Sequence, residues 1–248
     1  TIQLMKASNV ELSGIVDQVI GYDINPLAVL TAKTNYIVSI IDLVGEVEQL
    51  HLPVYNFDVI NSPYVSKGYL VVDLNDGDVY KIPVELVNTG EYRNVLRHLA
   101  VSLENRNRDH FAEYIEKRFG EDSIALLLSL YERLSKQVAL VATVTLNTLI
   151  SRIDGYMRSQ VDIIIGNPPW VNWEYLPRDY REKSQNLWVE YGIFSVTGRD
   201  LAFSKEDISV LITYLVIDKY LKDEGMLGFV IRQGLFKSAQ NGVGFRKF

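Results

Sequence analysis

A short, almost wholly apolar segment is followed at once by a polar residue, two prolines and an aromatic residue. Residues 161–166, VDIIIG, predict a buried β-strand covered on both faces, and Asn167-Pro168-Pro169-Trp170 follow it directly. Ligands of open α/β sheets bind beyond the carboxyl ends of the strands. The side-chain oxygen of Asn167 and the backbone carbonyl of Pro168 can each accept one hydrogen of an amino group. We therefore expect this loop to hold an amine for reaction.

The reaction that such a loop suits is methylation of an amino group on a planar base. The nitrogen lone pair is delocalised into the ring, and two acceptors would draw the nitrogen toward sp³ geometry and localise that pair. The prolines stiffen the loop before substrate arrives, and such positioning supplies much of a transfer enzyme's rate. Trp170 offers a flat face on which a base turned out of a duplex can stack. The alternative is a rigid turn in which Trp170 is a packing residue.

The segments before this loop predict an α/β fold. A helix over residues 2–18 and a strand over 19–23 precede Asn25-Pro26, which suit the N-cap and first position of a helix that runs to about Ile41. One apolar side of that helix consists of Leu27, Leu30, Ile37 and Ile41. A strand over 52–60 comes next.

A hairpin and a long helical region follow these elements. The β-rich runs 69–72 and 79–82 flank the turn residues Asn75-Asp76-Gly77-Asp78. Residues 84–157 show helical spacing. After the apolar strand, an amphipathic helix over 207–222, ended by Gly225, precedes a buried strand over 226–231.

Composition excludes several kinds of site. The chain of 248 residues has no cysteine, so disulfides, thiolate zinc sites and a cysteine nucleophile are excluded. Its three histidines are scattered, which argues against a metal site or a Ser-His-Asp triad. No apolar run reaches the ~18 residues that span a bilayer, and no secretory signal is present, so we expect a cytoplasmic protein without membrane contact.

Charge argues against a strong grip on DNA by this chain alone. The net charge is −6, whereas a DNA-binding protein usually carries a basic face. Arg93, Arg97, Arg106 and Arg108 cluster in the helical region, but acidic residues interleave with them. We interpret the cluster as a solvated helix face in preference to a phosphate-binding patch.

A family resemblance rests on the loop and on the residues after it. The run from Gly166 through Asn167-Pro168-Pro169-Trp170 to Val171-Asn172-Trp173-Glu174 resembles the catalytic segment of adenine-N6 DNA methyltransferases of restriction–modification and phage-defence systems. The resemblance implies a Rossmann-like, S-adenosylmethionine-dependent core with a helical insertion. Asn167 and Pro168 would orient the amine within the catalytic loop that Pro169 and Trp170 complete. The residues expected to contact the flanking strand are Asn172, Trp173 and Glu174.

Two earlier segments resemble the cofactor motifs of the same family. In Gly21-Tyr22-Asp23-Ile24-Asn25-Pro26-Leu27-Ala28, Asp23 would bind the ribose hydroxyls and Ile24 would lie against the cofactor's adenine. The alternative is that Asp23 only helps to cap the following helix. In the segment over 52–59, Asp58, followed by Val59, would lie near the cofactor's adenine amino group. The alternative for Asp58 is a surface loop.

The resemblance also has gaps. The family's Gly-rich loop after its first strand is not found, and the pair Gly242 and Gly244 follows no predicted strand. The tail over 228–248 resembles the family but carries Arg232 where proline is usual. We therefore expect an internal piece of the enzyme, truncated at both ends and inactive alone, that binds S-adenosylmethionine weakly or not at all. The expected division is 1–83 as the cofactor half, 84–157 as the helical insertion and 158–248 as the catalytic half.

These observations predict methyl transfer from S-adenosylmethionine to the N6 amine of adenine in DNA. The expected partners are double-stranded DNA with a flipped adenine and an endonuclease or specificity protein. A methyltransferase of protein glutamine or of ribosomal RNA guanine would use the same loop chemistry, and a non-catalytic, methylase-like scaffold is the alternative from another class.

Overall fold

The protein is described by a computed structural model that covers residues 1–45, 50–74, 77–158, 160–194, 204–237 and 245–247. The chain divides into two compact units. The first consists of Thr1–Asp58 and Ser62–Met157, and the second of Val59–Asn61 and Arg158–Phe248. Helices and strands are mixed in both, which gives an α/β protein with small sheets. The described part of the chain contains no helix long and apolar enough to cross a membrane.

The first unit begins with two short helices and a parallel β-α-β arrangement. Its elements are α1 (Ile2–Ala7), α2 (Leu12–Gln18), β1 (Gly21–Asp23), α3 (Pro26–Ile40) and β2 (Val54–Asn56). Strands β1 and β2 pair in parallel, with Gly21 opposite Val54 and Asp23 opposite Asn56. A small core beneath them is formed by Ile15, Val29, Tyr36, Ile40 and Val54.

The structure corrects two expectations in this region. The helix predicted over 2–18 is broken in two, because Asn9 adopts a left-handed backbone (φ 57°) and ends the first helix. The predicted apolar side of α3 is exposed, and the helix packs through other residues. The exposed residues are Leu27, Leu30, Ile37 and Ile41.

An antiparallel sheet of three strands follows, where a two-stranded hairpin was predicted. Its strands are β3 (Tyr64–Ser66), β4 (Tyr69–Asp73) and β5 (Val79–Pro83). The additional strand, β3, joins β4 through a tight turn at Lys67 and Gly68, both of which have positive φ (49° and 81°). Asn75 and Asp76, of the predicted hairpin turn, lie outside the described residues.

Helices then dominate the rest of the first unit, as predicted for 84–157. They are α4 (Val84–Asn88), α5 (Tyr92–Glu104), α6 (Arg108–Glu116), α7 (Glu121–Leu134) and α8 (Ala139–Met157). They share an apolar core with β4 and β5. Arg93 pairs with Asp154 at 2.9 Å and Arg108 with Glu132 at 2.5 Å, which favours the interpretation of these arginines as part of a solvated, ion-paired surface. The functional division into 1–83, 84–157 and 158–248 stays a prediction.

The second unit carries the predicted catalytic segment. Its elements are β6 (Val161–Gly166), a 3₁₀ turn (Trp173–Tyr175), α9 (Arg178–Glu190), α10 (Ile208–Leu215), a π-helical turn (Val216–Tyr220), β7 (Leu221–Phe229), α11 (Gly234–Lys237) and a 3₁₀ turn (Phe245–Lys247). Strands β6 and β7 pair in parallel. The core of this unit gathers around the buried residues Trp173, Trp188, Leu211 and Leu215.

Three expectations for this unit are wrong. The strand predicted as buried over 226–231 is β7 (Leu221–Phe229), and Met226 and Val230 are 62% and 60% exposed. Strand β6 is not covered on both faces, since Ile163 and Ile165 are 56% and 74% exposed. An apolar sequence shows that a strand favours burial, but it does not show whether other elements pack on both faces of that strand. The helix predicted over 207–222 consists of α10 and the π-helical turn, and it ends at Tyr220. Gly225 does not end a helix but lies within β7. There, residues 222–225 form a bulge opposite Asp162, which shifts the register of the strand pair.

Candidate active site

The Asn-Pro-Pro-Trp loop leaves the carboxyl end of β6 and is fastened to the end of β7. The Gly166 carbonyl accepts a hydrogen bond from the Val230 amide at 3.0 Å, which extends the parallel pairing by one step. A side chain on Gly166 would meet the Phe229 ring at 3.1 Å, so glycine allows the close approach here. Asn167 is exposed and Pro168 is buried. The loop therefore presents its amide side chain to solvent while its first proline is packed.

Trp170 is held by one edge of its ring. Its indole Nε1 donates a hydrogen bond to the Val230 carbonyl at 3.2 Å, and the side chain is 46% exposed. The Trp170 ring is therefore partly exposed, and its position is fixed by a hydrogen bond. This geometry argues against Trp170 as a mere packing residue and leaves aromatic surface open at the loop.

The residues after the loop are paired with the segment before α10. Asn172 forms an antiparallel bridge with Asp207, and the Trp173 amide donates to the Glu206 carbonyl at 2.8 Å. Arg232 Nη2 donates to the Asn172 side-chain oxygen at 2.9 Å and also contacts Asp207. Arg232 and Asp207 were not predicted as site residues, because neither lies near the loop in sequence.

The three residues expected to contact DNA differ in exposure. Trp173 is only 4% exposed and packs edge-on against Trp188 with ring centroids 5.4 Å apart, so its indole belongs to the core. Asn172 is engaged by Arg232, and Glu174 is half-buried. Tyr175, which was not predicted, is the exposed aromatic residue of this segment, at 72%.

In the first unit, Asp23 ends β1 and shapes the turn before α3. Its Oδ1 accepts a hydrogen bond from the Asn25 amide at 2.7 Å, and Asn25 Oδ1 in turn accepts one from the Leu27 amide at 2.9 Å. Asn25 is therefore the residue that caps α3, as predicted, and Asp23 uses one carboxylate oxygen to set the turn. The next residue, Ile24, exposes its side chain.

Asn56, at the end of β2, supports the candidate cofactor motif, and the sequence analysis did not predict this role. Its Nδ2 donates to the Ile24 carbonyl at 2.8 Å and to the Asp23 carbonyl at 3.3 Å. It thus holds the backbone that carries Asp23 and Ile24. An amide residue at the carboxyl end of a strand, beside a candidate cofactor motif, was a signal that could have found it.

Asp58 is buried, and this excludes the surface-loop alternative. Its side chain is 4% exposed. The preceding residue, Phe57, packs so closely on α8 that a side chain on Gly155 would meet its ring at 2.6 Å. Val59, the last of the predicted cofactor residues, belongs to the second unit, which also contains the Asn167–Trp170 loop. Asp23, Ile24 and Asp58 belong to the first unit.

Comparison with known proteins adds one finding. The model of the Eco57I restriction-modification methylase family matches residues 17–248. The chain belongs to this family. Searches among curated proteins and among solved structures found no match. This methylase is therefore a DNA methyltransferase of the restriction–modification type.

The end of β1 offers the kinds of contact that a nucleoside-containing methyl donor needs. Within the described ranges, no group of three or more histidine, aspartate or glutamate side chains could hold a metal ion. Asp23 and Ile24, exposed side by side at the carboxyl end of β1, offer a carboxylate and an apolar surface. A ribose and an adenine ring need these two kinds of contact.

Proposed function

We propose that this methylase transfers a methyl group from S-adenosylmethionine to the N6 amine of adenine in DNA. The observation that carries the proposal is the Asn167-to-Trp170 loop, which leaves the carboxyl end of β6 with an exposed amide and an aromatic ring fixed by its edge. Family membership supports DNA as the substrate class. The proposed core is Rossmann-like, and the parallel β1–α3–β2 arrangement supports it.

The proposed mechanism assigns the activation of the amine to Asn167 and Pro168. The Asn167 side-chain oxygen and the Pro168 carbonyl accept the two amino hydrogens, which localises the lone pair on nitrogen. Trp170 stacks on the flipped adenine, a contact worth ~1–3 kcal/mol per base. S-adenosylmethionine, when bound, would supply a methyl group on a cationic sulfur. The amine oriented by Asn167 and Pro168 would gain the N–C bond as the C–S bond is lost, and would then release one proton to solvent.

The proposed cofactor contacts come from the ends of β1 and β2. Asp23 binds the ribose hydroxyls, Ile24 lies against the cofactor's adenine, and Asp58 with the adjoining Val59 lies near the adenine amino group. Asn56 holds the Asp23–Ile24 backbone through its two hydrogen bonds at 2.8 and 3.3 Å. Further partners in this proposal are an endonuclease or a specificity protein.

The experiment that tests the proposal measures transfer of a radiolabelled methyl group by the protein expressed from its complete gene. DNA, RNA and a protein extract are offered as acceptors. We expect label as N6-methyladenine in DNA. Label in RNA or protein would contradict the substrate, and absence of label in all three would favour a scaffold.

Replacing Asn167 by Ala tests the role of the loop. We expect transfer to fall at least ~10²-fold, because the amine loses one of its two acceptors and its position, while S-adenosylmethionine binding measured by calorimetry stays unchanged. The matched control is Asn94→Ala, which removes an amide from the exposed surface of α5. Equal turnover of the two variants would rule out the proposed mechanism.

A further inference from the structure

The short segment that follows β7 holds the candidate catalytic loop at both ends. Val230 bonds to the Gly166 carbonyl through its amide (3.0 Å) and to the Trp170 indole through its carbonyl (3.2 Å). Two residues later, Arg232 bonds to the Asn172 side chain at 2.9 Å. Both ends of the loop therefore make hydrogen bonds to the segment from Val230 to Arg232.

The side chain of Arg232, which contacts Asn172, is paired with a buried carboxylate. Asp207 is 0% exposed. Its Oδ1 accepts a hydrogen bond from the Ser209 amide at 2.9 Å and so caps α10, while its Oδ2 pairs with Arg232 Nη2. The Asp207 backbone also bridges to Asn172. The Arg232 guanidinium thus joins three segments: the end of the loop, the start of α10 and the exit of β7.

We propose that Arg232 is a positioning residue for methyl transfer, acting through Asn172 and Asp207. This inference rests on the proposed function. Asn172 lies five residues after Asn167, and the two prolines between them leave the backbone little freedom. Fixing Asn172 therefore limits where the Asn167 amide can point. Arg232 touches no reacting atom in this scheme, and its effect on the rate comes from the placement of Asn167 and Pro168.

Loss of Arg232 would also leave the buried Asp207 carboxylate without its cation, which destabilises a fold by itself. A second variant separates this effect from positioning. The double substitution Asp207→Asn with Arg232→Met removes both charges and keeps an oxygen that can cap α10. If Arg232 only compensates charge, this double variant recovers full activity. If it positions the loop, activity stays low because the Asn172 side chain still lacks the hydrogen bond from Arg232.

The chain offers a matched control on the same two strands. Lys222 pairs with Asp162 at 3.0 Å near the amino ends of β7 and β6, and both side chains are largely exposed. Lys222→Met removes an ion pair between these strands without touching the loop. It is expected to leave kcat and KM at wild-type values.

The experiment compares Arg232→Met, Arg232→Lys, the double variant and Lys222→Met by steady-state kinetics. We expect Arg232→Met and the double variant to lower kcat ~10- to 100-fold with an unchanged KM for S-adenosylmethionine, and Arg232→Lys to restore part of kcat. Wild-type kcat in Arg232→Met, or full recovery in the double variant, would overturn the proposal.

A second measurement keeps this inference separate from the proposed function. Hydrogen exchange of the amides in 166–173 is compared in the wild type and in Arg232→Met. We expect faster exchange in that segment and unchanged exchange in α7. If the wild type transfers no methyl group, the proposed function fails while the exchange data still decide whether Arg232 fixes the loop. Unchanged exchange over 166–173 would show that it does not.

Discussion

Trp170 differs from a simple aromatic platform because its ring also carries a hydrogen-bond donor. The indole Nε1 bonds to the Val230 carbonyl at 3.2 Å, so one edge of the ring is fixed while much of its surface stays open. A fixed ring loses little freedom when a base stacks on it. In this methylase the tryptophan thus combines its proposed stacking role with a hydrogen bond that phenylalanine cannot make.

The replacements Trp170→Phe and Trp170→Ala separate these two contributions. Phenylalanine keeps the stacking face and loses the bond to Val230, so we expect kcat/KM for DNA to fall ~5-fold, the equivalent of one hydrogen bond of about 1 kcal/mol. Alanine also loses stacking, and we expect a further ~5- to 150-fold loss. Steady-state kinetics with a DNA substrate measure both values. Identical kinetics for the two variants would show that no base stacks on this ring.

The position of the loop directly after a strand could be predicted from the sequence, but the contacts that support the loop could not. Asn167 and Trp170 are recognisable because a motif and its preceding strand lie in one continuous segment. Arg232 and Asn56 act on residues 60 and 32 positions away in the chain, respectively. Such contacts depend on which strands pair. The place of Asn56 at the end of a predicted strand marks it as a candidate, but the partners of Asn56 and Arg232 do not follow from the sequence.

At the scale of elements, a buried hydroxyl on α3 makes a hydrogen bond to the end of α2, in addition to the apolar contacts between the two helices. Tyr36 lies on α3 and donates to the Ile15 carbonyl at 3.1 Å or to the Val19 carbonyl at 3.2 Å. Burial raises the pKa of Tyr36 to about 12, and the nearby Tyr55 and Asp17 add to the effect. The folded protein therefore favours the neutral form of the Tyr36 hydroxyl. This form contributes its full stabilisation to the β1–α3–β2 arrangement only at pH values where Tyr36 is also protonated in the unfolded chain.

Replacing Tyr36 by Phe tests this linkage. Because the folded pKa is raised above the unfolded value of 10, the stabilisation is fully present below pH 10 and is lost as the pH rises toward 12. At pH 8 we expect the wild type to be more stable by about 1 kcal/mol, and at pH 11 we expect that difference to be largely gone. Urea unfolding at the two pH values measures it. A difference that does not change with pH would contradict the linkage.

Element boundaries were predictable where a local signal sets them. The start of α3 follows from Asn25-Pro26, and the structure places the helix there. The end of α10 does not follow from its sequence, because the apolar spacing continues through the π-helical turn Val216–Tyr220. There the chain leaves the helix to pair with β6, and that pairing outweighs the local helical pattern.

At the scale of the whole molecule, charge and apolar surface are distributed in an uncommon way for a DNA-modifying protein. The net charge is −6, and the arginines Arg93 and Arg108 form ion pairs with acidic residues. Apolar side chains stay exposed on α3 and on β6. We therefore expect DNA recognition by these residues to depend on specific contacts at the proposed catalytic loop more than on a basic field.

We expect the 248 residues to bind non-specific duplex DNA weakly. Proteins that release many counterions bind such DNA with dissociation constants of ~10⁻⁴ to 10⁻⁶ M at physiological salt, and an acidic chain falls at or beyond the weak end. Fluorescence anisotropy of a labelled duplex at two salt concentrations measures this binding. Micromolar affinity with a steep salt dependence would reveal a basic surface that the charge pattern does not indicate.

The placement of the three tryptophans also provides an optical probe of the loop. Trp173 and Trp188 are packed together in the core, whereas Trp170 lies at the loop, 46% exposed. The emission of the two core indoles is therefore shielded from acrylamide, and the quenchable, red-shifted part of the spectrum belongs to Trp170. A base that stacks on this ring would quench that part alone, so unlabelled protein can report the arrival of a nucleotide in a stopped-flow trace.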